Sequence, residues 1–149
     1  EDQQFDLIFG DAFHDISIPP HLVTREFHSQ IARRLAPGGA YAVTVVDAGS
    51  KPLFLFSLIK TLKLDFSNIE AWVEQDEIGN PGRVTFIVIA SNKPTPIDTL
   101  TALRGPERTW RRWPMDDLSM RIVQAKVPVL SDDFAPVDRL MSRLLLQAE

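Results

Sequence analysis

The chain has 149 residues, 44% of them hydrophobic, and its 16 basic and 20 acidic residues give a net charge of −4. This length and composition indicate one globular domain, and the acidic balance argues against a broad nucleic-acid-binding surface and favours a cationic small-molecule partner. The absence of cysteine excludes disulfides, a thiolate nucleophile and cysteine-based zinc sites, and it is compatible with a cytoplasmic location.

Neither a membrane segment nor a signal peptide is expected within the chain. The longest apolar run, residues 52–64, is interrupted by Lys60 and Lys63 and is shorter than the roughly 20 residues that a bilayer requires. The first residues, EDQQFDLIFGD, lack the basic and apolar regions of a signal peptide. An acidic start that runs directly into a strand suggests that the sequence begins inside a domain.

The first third of the chain predicts a strand, a helix and a second strand. Residues 5–9 form a short apolar run that is typical of a largely buried strand, and Gly10 ends it. Thr24 begins a stretch with apolar residues at helical spacing, and residues 36–39, Ala-Pro-Gly-Gly, stop that helix. The β-branched run from Tyr41 to Val46 then predicts the second strand.

The middle of the chain predicts one more helix and two more strands. Lys51 and Pro52 begin a helix that extends to about Leu64. Strands are expected at Ile69–Val73 and Val84–Ile89, separated by the turn-rich sequence IGNPGR. Because this connection is too short for a crossover helix, the two strands should be antiparallel. The expected fold is therefore an α/β sheet with a terminal antiparallel hairpin.

Residues after Ser91 are less regular. The expected elements are a short helix at Ile97–Leu103, a loop at Trp110–Pro114, and helices at Met115–Lys126 and Val137–Ala148. We therefore expect a single domain, with residues 1–93 as its α/β core and residues 94–149 as a helical and loop extension.

Four aspartates are the candidate site residues. Asp11 and Asp15 follow the first predicted strand, at the end of a sheet strand where open α/β proteins bind ligands. Asp132 and Asp133 form a second acidic pair that can join them. Such carboxylates suit a cationic or amine-bearing molecule. Purely structural roles are the alternatives: a turn cap for Asp11, a solvated loop position for Asp15, and interaction of the Asp132–Asp133 pair with a helix dipole.

Other motifs carry less information about function. The three histidines His14, His21 and His28 are seven residues apart, which is no known ligand pattern, so no metal site is expected. Serines with a nearby His and Asp do not specify a hydrolase, because a triad is recognised by its geometry. The WRRW sequence from Trp110 to Trp113 can stack on bases, but tryptophans packed on the domain are the favoured interpretation in an acidic chain.

Three segments resemble the class I AdoMet-dependent transferase fold and, within it, the spermidine synthase-like (polyamine aminopropyltransferase) family. FDLIFGDAF and LVTREFHSQIARRLAPGG resemble the family's fourth strand, the helix after it and the turn into the fifth strand, and LSDDFAPVDRL resembles the acidic segment before the last helix. The resemblance implies a partial, Rossmann-like sheet that comprises the carboxyl-terminal half of the family's nucleotide domain. The family's glycine-rich loop has no counterpart here.

The resemblance also implies a reaction and roles for individual residues. The family transfers an aminopropyl group from decarboxylated AdoMet, a co-substrate rather than a tightly bound cofactor, to a diamine. Asp11 matches the catalytic aspartate that accepts the amine's proton, and Asp15, Asp132 and Asp133 would bind the acceptor. The usual loop sequence Asp, Ser, any residue, Asp, Pro is not kept, because the acidic spacing here is four. Residues expected beside the donor are Asp11, Ala12, Pro20 and Leu22.

Whether the chain itself is an enzyme is left open at this point. The alternative is a non-catalytic interaction domain that keeps the fold and assembles through the edge formed by residues 5–9, an apolar strand that would be exposed if the sheet is incomplete. Expected partners are an amine, an AdoMet-type donor, and either a second copy of the chain or a missing amino-terminal half.

Overall fold

The computed structural model describes residues 3–11 and 17–145, apart from the side chains of Arg143 and Leu145. The strands of its mixed α/β fold are β1 (Phe5–Gly10), β2 (Leu35–Ala48), β3 (Asn68–Glu74), β4 (Arg83–Ser91), β5 (Thr99–Thr101) and β6 (Thr109–Arg112). The helices are α1 (Arg25–Arg34), α2 (Leu53–Leu62), α3 (Met115–Ala125), α4 (Val137–Leu140) and α5 (Ser142–Leu145), and a 3-10 turn at Pro20–Leu22 precedes α1.

All six strands belong to one sheet, in the order β1-β2-β4-β3-β6-β5. Strand β1 is parallel to β2, and every other neighbouring pair is antiparallel. Gly10 lies beside Val43, so the carboxyl ends of β1 and β2 point toward the same edge of the sheet. This mixed sheet with its helices confirms the expected α/β class.

Alternating burial along β2 divides the sheet into two unlike faces. Tyr41, Val43 and Val45 are buried against the helices, whereas Ala42 and Thr44 between them are half-exposed. Strand β4 follows the same alternation, as expected for strands with one face toward a core. We call the first the core face and the second the open face.

The start of β2 is irregular. Phe5 pairs with Leu35 and Leu7 pairs with Ala40, so five steps along β2 match two steps along β1. Gly38 has a φ of 84° within this bulge, a conformation that glycine adopts without strain. The Ala-Pro-Gly-Gly turn predicted from sequence therefore lies inside the strand, which begins earlier than expected.

The three longest helices agree with the sequence-based expectation. The Thr24 hydroxyl accepts a hydrogen bond from the Phe27 backbone N–H at 3.3 Å and caps α1. Helix α2 follows Pro52 and is buried along most of its length, and α3 occupies the predicted position. Within residues 3–11 and 17–145, no helix combines the length and apolar character needed to cross a membrane.

Several local predictions were wrong. Strand β1 is mostly exposed rather than largely buried, because it is the last strand at one end of the sheet order. The expected helix at 97–103 contains β5, and the expected loop at 110–114 contains most of β6. The described part of the expected helix at 137–148 is two short helices.

The antiparallel hairpin of β3 and β4 is confirmed, but it is central rather than terminal. It is central because β6 pairs with β3 on the other side, and β5 then pairs with β6. The later part of the chain therefore extends the sheet.

Glu70 joins β3 to the segment that crosses the open face above it, residues 93–98, which we call the strap. Its buried carboxylate accepts hydrogen bonds from the Thr95 N–H at 2.8 Å, the Thr95 hydroxyl at 2.6 Å and the Trp72 indole at 3.0 Å. Arg112 adds an ion pair at 3.3 Å. Burial alone would raise the pKa of Glu70, but hydrogen bonds from Thr95, Asn68 and Trp72 together hold it below its usual range.

We expect Glu70→Ala to lower the free energy of unfolding by about 2–4 kcal/mol, because it leaves the buried Trp72 indole and the Arg112 guanidinium without their carboxylate. Urea unfolding at pH 7 measures this loss. Glu107→Ala, at an exposed position, is the matched control and should change stability by less than about 0.5 kcal/mol. Equal effects of the two substitutions would contradict a structural role for Glu70.

Candidate active site

Asp11 lies directly after β1, at the carboxyl end of the parallel β1–β2 pair, and its side chain is exposed. It borders a cleft of about 420 Å³ between the end of β1, the 3-10 turn and α1, which we call the β1 cleft. This is the position in open α/β sheets where ligands bind. The other residues that line the cleft are Ile8, Phe9, Gly10, Leu22, Phe27, Ile31, Tyr41 and Val43.

The floor of the β1 cleft depends on a close approach between Gly10 and Tyr41. A Cβ atom at position 10 would lie 2.8 Å from the Tyr41 hydroxyl oxygen, which is closer than real Cβ contacts come. Only glycine therefore lets the phenol lie beside the end of β1 without displacement. Burial raises the pKa of Tyr41 to about 12, so the phenol stays protonated at neutral pH.

A second cleft, of about 510 Å³, lies at the beginning of α1, and we call it the α1 cleft. Its polar lining consists of His21, Thr24, Gln30 and Asp132, and its apolar lining consists of Pro20, Phe27 and Ala135. Phe27 belongs to both clefts, so its ring forms the boundary between them. Such a lining can hold the cationic end of a ligand at the Asp132 carboxylate while the apolar part of the same ligand contacts the Phe27 ring.

The acidic pair lies in a tight turn that is fixed to the start of α1. Ser131 and Phe134 exchange backbone hydrogen bonds at 3.0 Å in both directions, which leaves the exposed Asp132 and Asp133 between them. The Glu26 carboxylate accepts a hydrogen bond from the Asp132 N–H at 3.0 Å. The Arg25 N–H donates to the Leu130 carbonyl at 2.9 Å. These contacts place Asp132 at the α1 cleft.

The structure distributes the predicted site residues over the two clefts. Asp11 and Leu22 line the β1 cleft, whereas Pro20 and Asp132 line the α1 cleft. Asp133 shares the turn of Asp132 without lining either cleft. Ala12 and Asp15 lie outside the described residues, and so does His14.

Sequence reasoning assigned no role to His28, which is buried beside Phe27, the residue that lines both clefts. Its ring lies 5.5 Å from the ring of Phe27 and 5.7 Å from that of Tyr41. Neither ring nitrogen has a hydrogen-bond partner among the residues that the structure describes. Burial lowers the pKa of His28 to about 4, so the ring is neutral at pH 7. Its position on the inner side of the amphipathic helix α1 was the available sequence signal.

Asp47 is a second buried titratable group that the sequence pattern did not single out. It lies near the carboxyl end of β2, and its carboxylate accepts hydrogen bonds from the Ala48 N–H at 2.7 Å and the Leu55 N–H at 3.0 Å. Burial raises its pKa to about 6, although backbone hydrogen bonds from Leu55, Ala48 and Phe54 act in the opposite direction. These contacts satisfy backbone donors at the start of α2, which is a structural role.

The WRRW segment packs on the domain, as the sequence favoured. Trp113 is buried, stacks on Phe86 at 6.1 Å and donates its indole N–H to Asp117 at 2.6 Å. Trp110 lies half-buried in β6 on the open face. Across residues 3–11 and 17–145, no three His, Asp or Glu side chains converge in a way that could hold a metal ion.

Comparison with known proteins gives a structural match but no sequence family. No family model and no curated protein matches the chain. The solved structure of a probable spermidine synthase from Corynebacterium glutamicum ATCC 13032 is similar, with a TM-score of 0.67 and 18% identity over 83% of this chain. The match covers 47% of that protein, so this chain spans about half its length. At this identity the likeness shows a shared fold.

We expect His28→Leu to remove a pH-dependent part of the stability. Because His28 has a lower pKa in the folded chain than its ordinary 6.5, its contribution to the free energy of unfolding is fully present above pH 6.5 and is lost as the pH falls toward 4. The loss amounts to about 3 kcal/mol at pH 4 and below, and the leucine variant lacks it.

Chemical unfolding of both proteins from pH 8 to pH 4 measures this difference, with Phe86→Leu as the control. Phe86 is a buried aromatic residue that stacks on Trp113 and carries no titratable group, so its substitution should shift stability by the same amount at every pH. A His28→Leu effect that is equally constant would contradict the burial of a neutral imidazole.

Proposed function

We propose that this chain is a spermidine synthase-like transferase domain that binds the amine acceptor and transfers an aminopropyl group to it from decarboxylated AdoMet. The observation that carries the proposal is the position of Asp11, an exposed carboxylate beside an apolar cleft at the carboxyl end of β1. The structural likeness to a probable spermidine synthase supports the same function.

The chemistry requires a neutral amine at the reacting end of the acceptor. Its nitrogen attacks the carbon beside the donor's sulfonium, the carbon–sulfur bond breaks, and methylthioadenosine leaves as a neutral thioether. The amine loses one proton in the process, and the Asp11 carboxylate is the proposed base that accepts it. No disulfide, thiolate or metal is needed for this step.

The two clefts suit the two ends of a diamine. The apolar side chains of Leu22, Phe27 and Ile31 beside Asp11 fit the methylene chain, and Asp132 beyond Phe27 offers a carboxylate for the distal ammonium. Asp133, in the same turn, adds negative charge to this end. Asp15 remains proposed as a further acceptor ligand.

The donor would contact residues of both clefts. Leu22 and Asp11 in the β1 cleft and Pro20 in the α1 cleft are the described residues proposed to contact the donor, together with Ala12. The sequence contains no glycine-rich loop of the kind that nucleotide-binding sheets use for such a molecule. We therefore propose that an amino-terminal half completes the donor site.

The structural match does not favour the alternative of a non-catalytic domain that assembles through the edge of β1. A cytoplasmic location, and a homodimer or pairing with an amino-terminal half, remain part of the proposal.

The proposed reaction predicts formation of methylthioadenosine when the protein is incubated with decarboxylated AdoMet and 1,4-diaminobutane. We expect Asp11→Asn to lower kcat by about 10²–10⁴-fold, because the proton acceptor is lost. Asp132→Asn should mainly raise KM for the diamine. The control, Asp65→Asn, removes an exposed carboxylate after α2 and should leave both constants unchanged.

Thermal unfolding with each ligand alone separates binding from turnover. A rise in melting temperature with the diamine that Asp132→Asn abolishes would support the acceptor site even if turnover needs an additional half. Absence of product together with no shift from either ligand would refute catalysis by this chain.

A further inference from the structure

Tyr41 is the single tyrosine of the chain, and its side chain lines the β1 cleft. The residue pairs with Ile8 on β1, but its ring reaches two residues further along that strand, because the hydroxyl oxygen lies beside Gly10. Asp11 is the next residue after Gly10, and it lines the same cleft. The Tyr41 hydroxyl and the proposed base therefore lie at the same end of β1.

The Tyr41 hydroxyl has no hydrogen-bond partner in the part of the chain that the structure describes. The residue is buried, and the ring of His28 packs on the phenol ring with a centroid distance of 5.7 Å. Polar groups at buried positions are normally paired in native structures. An unpaired hydroxyl that borders a cleft therefore indicates that a bound molecule supplies the partner.

The rest of the β1 cleft offers few polar contacts. Among the described residues that line it, Asp11 and Tyr41 alone carry polar side chains, and the others are apolar or glycine. An apolar cleft with a small number of placed polar groups is typical of a small-molecule site, where those groups fix the orientation of the ligand. The two oxygen-bearing side chains therefore determine how a polar ligand group lies in this cleft.

We propose that the Tyr41 hydroxyl accepts a hydrogen bond from the reacting amine of the acceptor and shares this amine with the Asp11 carboxylate. The inference rests on the function proposed above and adds a substrate-binding residue to it. A neutral primary amine has two N–H bonds and one lone pair, and the lone pair must face the carbon that it attacks. The two N–H bonds then match the two oxygen acceptors of the cleft.

A protonated phenol suits this role. Burial raises the pKa of Tyr41 to about 12, so its oxygen offers a lone pair without carrying a negative charge and does not compete with Asp11 for the proton. As the carbon–nitrogen bond forms and the carbon–sulfur bond breaks, the N–H that faces Asp11 gives its proton to the carboxylate. The N–H that faces Tyr41 stays on the product nitrogen. The hydroxyl thus determines which of the two protons leaves.

Tyr41→Phe removes the hydroxyl and keeps the ring. Isothermal titration calorimetry with 1,4-diaminobutane should give a Kd about 3–10-fold higher than that of the wild type, because one hydrogen bond to the ligand is lost. The melting temperature without ligand should not fall, since the hydroxyl pairs with no described residue. The matched control is Thr44→Val, which removes a hydroxyl from the open face of the same strand and should leave the Kd unchanged.

Gly10→Ala tests whether the position of the hydroxyl matters. The added Cβ would lie 2.8 Å from the hydroxyl oxygen and 3.2 Å from the nearest ring carbon, so it displaces the hydroxyl most. We expect Gly10→Ala to raise the Kd for the diamine in the wild-type background and to raise it less in the Tyr41→Phe background. Such non-additivity is expected of two residues in contact. Strictly additive effects would contradict the proposed contact.

The single tyrosine also allows a spectroscopic test that does not depend on turnover. Protein labelled with 3-fluorotyrosine carries the fluorine at one residue, so its ¹⁹F resonance reports on the β1 cleft. Added 1,4-diaminobutane should shift this resonance in a saturable manner, with the Kd that calorimetry gives for the same labelled protein. Methylthioadenosine, added alone, is the comparison ligand for the donor.

The possible outcomes separate this inference from the proposed function. Equal diamine affinity of the wild type and Tyr41→Phe, with an unmoved ¹⁹F resonance, would overturn the role of Tyr41 and leave the acceptor site intact. A resonance that responds to methylthioadenosine and not to the diamine would assign the hydroxyl to the donor and also overturn the inference. Absence of diamine binding to the wild type would refute the acceptor site itself, and the Tyr41 contact with it.

Discussion

The alternation of buried and half-exposed residues along β2 and β4 is the constraint on which the rest of the structure depends. It directs Tyr41, Val43 and Val45 toward a single helical layer and leaves Ala42 and Thr44 on the open face. Because β2 is parallel to β1 and antiparallel to β4, it joins the candidate site to the hairpin. A shift of one residue in this register would exchange the core face and the open face. The candidate site and the open face therefore depend on the same pairing.

The sequence predicted the elements whose own residues contain a local signal, such as a helix cap, a helical period or a turn. The Thr24 cap, the periodic helix after it and the hairpin around IGNPGR all appear in the structure. Strands β5 and β6 were missed because TLT and TWRR are too short to show a period. They are strands because β6 pairs with β3 and β5 pairs with β6. Here tertiary pairing outweighs local propensity.

The candidate site was predictable in its chemistry and less so in its arrangement. Asp11 at a strand end is recognisable from the residues before it. Sequence cannot show that Asp132 lies across Phe27 in a separate cleft, because that position is set by contacts of Glu26 and Arg25 with a turn more than one hundred residues away. Sequence also cannot show that the His28 ring is buried, because its burial depends on packing against the rings of Phe27 and Tyr41.

His28 and Asp47 act on stability in opposite directions over nearly the same pH range. Burial lowers the pKa of His28 to about 4, so the folded chain loses this contribution as the pH falls from 6.5. Burial raises the pKa of Asp47 to about 6, so the folded chain gains stability as the pH falls from above 6 toward 3.8. Each contribution is about 3 kcal/mol in size. Between pH 4 and 6 the two contributions nearly cancel. A flat stability profile there would therefore reflect compensation between two buried titratable groups, which substitution of either group alone would reveal.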